Sequence, residues 1–125
     1  MKKLSELIPT EIQVTESITT ETGEQFYFEL PRENQLEALE KLLGVMKPGD
    51  TLYFPDSREH EGGECFLVID VEENNFVAFH GGHGHSDNKT TLTTVEILEK
   101  LAKLIPGEVR KLSSEYPSIF LSTRN

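Results

Sequence analysis

Residues 65–85, CFLVIDVEENNFVAFHGGHGH, constrain the fold more than any other part of the chain. The run opens with Cys65 to Val71, in which only Asp70 is charged. A short apolar run of this kind is a strand that wants cover on both faces. Glu72, Glu73, Asn74 and Asn75 then supply a turn, and Phe76 to Phe79 return the chain through a second apolar run. A buried hairpin is predicted at the centre of an antiparallel-rich sheet, with Leu67 and Ile69 in the core. Pairing across Glu73-Asn74, with partner numbers summing to about 148, brings Cys65 near His83.

The rest of the chain is read around that hairpin. Leu4, Leu7 and Ile8 have helical spacing, and Pro9 ends the segment. Ile12, Val14 and Ile18 share one parity, and Phe26, Phe28 and Leu30 alternate with Tyr27 and Glu29 across a turn at Thr22-Gly23. This pattern predicts a hairpin with one wet face. Asn34 and Glu37 have capping-box spacing before an apolar stripe of Leu36, Leu39, Leu42, Leu43 and Met46. Glu37 and Lys41 are placed to pair one helical turn apart. Lys47-Pro48-Gly49 ends this helix, and Thr51 to Phe54 forms a strand stopped by Pro55.

Thr93 and Glu96 mark a second capping box. The helix it starts carries Val95, Leu98, Leu101, Ala102 and Ile105 on its expected apolar face. Ile119 to Leu121 is expected as a last strand at an edge of the sheet. The pattern is α+β: a single domain over residues 1–125, mostly antiparallel sheet, with two main helices packed on it.

Charge narrows the function. The chain has 22 acids and 12 bases, a net charge of −10. Residues 1–64 hold 14 acids and 6 bases, whereas residues 65–125 hold 8 and 6. Such a chain repels a phosphate backbone, which argues against nucleic acid as a partner, and it attracts a basic protein. No apolar run approaches the roughly 18 residues of a membrane span. The start of the chain lacks an apolar stretch of signal-peptide length. With one cysteine, Cys65, no internal disulfide forms. These features point to a cytoplasmic protein.

Two sets of residues are candidates for a site. Asp56, Glu59, Glu61 and Glu64 lie in one glycine-containing loop, and Glu72 and Glu73 lie in the hairpin turn that follows. A long hairpin keeps them apart as two acidic patches, the best candidates for a protein-binding surface. Against this, charged loops commonly serve solubility. His80, His83 and His85 form H-x-x-H-x-H among glycines, with Asp87 or His60 as a fourth ligand. Imidazoles in this pattern suit zinc or another divalent transition metal.

Cys65 beside a histidine has the elements of a nucleophile pair, but a cysteine opening a strand is ordinarily a small core hydrophobe. GHSDNKT, residues 84–90, lacks the spacing of a phosphate loop. The expectation is therefore a non-enzymatic acidic binding protein with no cofactor. It would be an inhibitor or immunity-type protein that neutralises a basic toxin or nuclease-like partner. The alternative is a small metal-binding protein or enzyme built on the histidine loop, and a third reading is self-association through an edge strand.

Overall fold

Alternation and helical stripes together build one sheet with helices on one face. The structure is a computed structural model that describes residues 4–55, 66–82, 85–86, 88–104 and 119–124. In chain order the elements are α1 (Leu4–Leu7), β1 (Gln13–Thr19), β2 (Glu24–Glu29), α2 (Gln35–Val45), β3 (Thr51–Pro55) and β4 (Phe66–Val71). These are followed by β5 (Phe76–Gly82), β6 (His85–Ser86), β7 (Thr90–Leu92), α3 (Thr94–Leu104) and β8 (Ile119–Ser122). The sheet order is β1-β2-β8-β3-β4-β5-β6, with β7 also on β5, and every pairing is antiparallel. The fold is α+β, as the sequence predicts.

The helices α2 and α3 cover one face. Leu39, Leu42, Leu43 and Met46 of the α2 segment, with Ile97 and Leu101 of α3, pack against Phe28, Leu52, Phe54, Leu67, Ile69, Ile119 and Leu121. Leu67 and Ile69 are 1% and 0% exposed, which places the predicted hairpin in the core. No helix among the described residues is long and apolar enough to cross a membrane.

The local expectations hold in part. First, the β4–β5 hairpin pairs as expected across Glu73-Asn74, with Phe66 opposite Gly81 and Val71 opposite Phe76. The turn closes when Glu72 donates its N–H to the Asn75 carbonyl at 2.9 Å, which leaves Glu73 and Asn74 as its two central residues. Second, β8 is not an edge strand. It lies between β2 and β3, pairing with both, and the sheet centre shifts from the β4–β5 hairpin towards β3.

Third, Val14 and Ile18 do not share a face. A bulge between Val14 and Glu16 sets Val14 opposite Phe28 but Ile18 opposite Gln25. Fourth, Asn34 caps no helix with its side chain. Its backbone is left-handed, φ 57°, and the first turn of α2 is held by the Ala38 N–H donating to the Asn34 carbonyl at 3.0 Å. Lys41 meets Glu11 at 3.3 Å rather than its helical neighbour Glu37.

Fifth, each helix buries most of its expected stripe, Leu39, Leu42, Leu43 and Met46 on the α2 side and Leu101 with the partly buried Leu98 on α3, but departs from it at one position. Leu36 is 37% exposed while Ala38 is buried, and Val95 is 64% exposed while Ile97 is fully buried. The capping box of α3 does form: the Thr93 N–H donates to Glu96 Oε1 at 2.9 Å and the Glu96 N–H to Thr93 Oγ1 at 3.3 Å.

Candidate functional site

The base-free stretch from Leu4 to Pro31 supplies one acidic border of the sheet. From Leu4 to Pro31 there are six glutamates, Glu6, Glu11, Glu16, Glu21, Glu24 and Glu29, and no Lys, Arg or His. The hairpin β1–β2 takes up most of this segment, and β1 stands at the end of the sheet order. All seven residues of β1 are exposed. Both of its branched apolar side chains, Val14 and Ile18, are wet, at 40% and 39% exposure.

The bulge decides what each face of β1 presents. Glu16 is registered on Tyr27 and Ile18 on Gln25, so both lie on the sheet face away from the helices. Val14, registered on Phe28, lies on the helix side. The Thr15 hydroxyl at the bulge donates to the Tyr27 carbonyl at 3.2 Å and holds the irregularity in place. The acidic border continues onto α2. Glu11, Glu33, Glu37 and Lys41 line an open hollow of about 200 Å³ with Pro31, Asn34 and Ala38. Lys41, the one base in that lining, is committed to Glu11.

On the sheet face opposite the helices an aromatic row runs inward from this edge. Tyr27 stacks on Phe120 with ring centroids 5.0 Å apart, and Tyr53 stacks on the other side of Phe120 at 4.3 Å and 11°. The register carries the row on to Val68 and Phe79, where the Lys89 ammonium lies 5.3 Å from the ring centroid. The three stacked rings are half-buried and stiffen the sheet where β8 joins its two parts. Burial raises the Tyr53 phenol above its ordinary pKa, and the charge of Asp70 adds to this against the opposing charge of Arg124. Asp70 in turn accepts the Thr51 hydroxyl at 2.7 Å.

Asp50 is the buried acid among the described residues, 5% exposed at the start of β3. It accepts the Lys47 N–H at 2.8 Å and a backbone bond from Arg124, and its own carbonyl accepts the Val71 N–H. Its carboxylate therefore ties the end of α2 to the end of β8, and its backbone ties both to β4. Burial raises its pKa, while the two backbone donors and the charge of Lys47 oppose the rise. A folded pKa above the unfolded value means that stability is highest below the unfolded pKa and falls as pH rises through the folded one.

Compared pairwise across acidic pH, the wild type is expected to lose urea stability relative to Asp50→Asn as pH rises. The opposite slope would show the charged form to be favoured by the fold. Asp50→Ala leaves the Lys47 and Arg124 donors unpaired and is expected to cost about 1–3 kcal/mol.

The residues singled out in the sequence are distributed as follows. Glu72 and Glu73 are exposed in the β4–β5 turn. Asp56, Glu59, Glu61 and Glu64 lie outside the described residues, as do His60, Cys65, His83 and Asp87. His80 is half-buried in β5, registered on Leu67, and His85 in β6 is registered on Gly82. Among the described residues no group of three or more His, Cys, Asp or Glu converges to hold a metal.

The acidic border is not among the candidates that motif and loop patterns single out, although the absence of bases between Leu4 and Pro31 is plain in the sequence. Its position at a sheet edge depends on β8 occupying the other side of β2. Against known proteins, the chain matches no family model, and no curated protein or solved structure matches it significantly.

Proposed function

We propose that this chain is a non-catalytic, acidic protein-binding domain of the inhibitor or immunity type, whose partner is a basic protein. The observation that carries the reading is the base-free stretch from Leu4 to Pro31, whose six glutamates include the four of the β1–β2 hairpin, Glu16, Glu21, Glu24 and Glu29. Single-sign surfaces raise encounter rates with partners of opposite charge and repel those of like charge. The same field disfavours nucleic acid and anionic membranes. Asp56, Glu59, Glu61 and Glu64, and separately Glu72 and Glu73 at the hairpin turn, are the further acidic candidates of this reading.

The test is a pull-down from the native host, followed by association kinetics with the recovered partner at two salt concentrations. Replacing Glu16, Glu21 and Glu29 together by Gln is expected to slow association about tenfold at low salt. Replacing Glu59, Glu61 and Glu64 together by Gln is expected to slow it too, and both triple variants flatten the salt dependence. Charges at the rim of an interface act on association, so dissociation changes less. Recovery of neutral or acidic partners alone, or wild-type association by both variants, would overturn the reading and leave the charge of −10 as a solubility device.

A further inference from the structure

We infer that β1 is a docking edge, on which an extended basic segment of the partner adds as a further strand. This deepens the binding reading above and rests on it. An edge strand presents unpaired N–H and C=O groups along its free side, and proteins ordinarily guard such an edge with Lys, Pro or a bulge. β1, QVTESIT, contains neither Lys nor Pro. Its bulge lies between Val14 and Glu16 and leaves residues 16–19 in regular register with β2. Among the described residues, no strand pairs with its outer side.

The side chains beside that edge define the occupant. On the face away from the helices a docked strand meets Glu16 and the wet Ile18, with Glu29 nearby on β2 opposite Gln13. On the helix side it meets Val14, 40% exposed. Strand side chains alternate between faces. The complementary segment therefore alternates basic residues, which pair with Glu16 and Glu29 and lay their apolar stems on Ile18, with small apolar residues, which cover Val14. Main-chain bonds supply the affinity and the alternating side chains the selectivity, as in strand addition generally. A second copy of this chain brings no base to the edge, and in the two-fold register centred on Glu16 it sets that glutamate against its own copy.

The test uses the intact protein and a short peptide alternating arginine and valine, followed by amide NMR and titration. Binding is expected to shift the amides of β1 and β2 first, and N-methylation of alternate peptide amides is expected to weaken it at least about tenfold. Glu16→Gln is expected to weaken it less and to lower its salt sensitivity.

Affinity unchanged by N-methylation on both alternate sets would mean attraction by charge alone, which overturns the docking edge and leaves the acidic binding reading standing. Shifts centred away from residues 13–19 would overturn it equally, as would a dimer of the free protein whose contact maps to β1. If the host yields no basic partner while the peptide still adds to β1, the edge stands and the inhibitor reading fails.

Discussion

Removal of residues 119–125 is expected to leave no cooperatively folded protein. β8 pairs with β2 through four residues and with β3 through three, so its loss opens two ladders at once. Ile119 and Leu121, 1% and 0% exposed, leave the core with it. Truncation of one such side chain costs about 2–5 kcal/mol. Two of them come to about 4–10 kcal/mol before either ladder is counted, against the roughly 5–15 kcal/mol that holds a domain of this size together. The strand is also locked at its end. Thr123 donates its N–H to the Glu24 carbonyl at 2.8 Å and accepts the Glu24 N–H on its hydroxyl at 3.0 Å. Gly23 is needed beside that lock, because a Cβ there would collide with the Thr123 carbonyl. The measurement is a urea titration by circular dichroism, with Leu121→Asp in the full chain as a second variant. A cooperative transition retained by both variants would mean that β8 is dispensable, as an edge strand would be.

The second large effect belongs to the β4 core. Ile69→Ala and Leu67→Ala are each expected to cost about 2–5 kcal/mol, the range for a fully buried aliphatic side chain that leaves a cavity. Both residues lie under the helices, with Ile69 between Leu52 and Ala78, and Leu67 between Phe54 and His80. The midpoint of urea unfolding should fall with little change in its slope, since neither variant alters the area exposed on unfolding by much. A change below about 0.5 kcal/mol at both positions would contradict the packing described here.

What can be read from the sequence follows how local each cause is. The β4–β5 hairpin, the ends of α2 at Pro48 and of β3 at Pro55, and the Thr93–Glu96 capping box depend on neighbours within a few residues. They are all legible. Side-chain parity in β1 is not, because a bulge costs no visible residue: Thr15 occupies it as an ordinary threonine of an ordinary strand. The helix faces depart from their pattern at Leu36 and Val95, which carry the hydrophobicity of a core residue at positions that the packing leaves wet, while Ala38 and Ile97 are buried. The middle position of β8 is non-local, since Thr123 and Glu24 are 99 residues apart. Nothing near Ile119 encodes which two strands it joins. The candidate site shares that difficulty: its charge is legible, and its place at an edge is decided by β8.

The interposed β8 also sets a waiting time. β2 ends at Glu29 and β8 begins at Ile119, so about ninety residues separate the making of one partner from the other. At roughly 5–20 residues per second during synthesis, the hairpin that carries Phe26 and Phe28 waits on the order of 5–20 seconds with its inner edge bare. Long-range pairing of this sort is slow and leaves apolar strands open to mispairing in the interval. Glu24 and Glu29, at the two ends of β2, flank its phenylalanines as gatekeepers, and each nascent copy repels the next. The glutamates that form the acidic border of the finished sheet are thus also the charges that would guard the open β1–β2 hairpin until its missing strand is made.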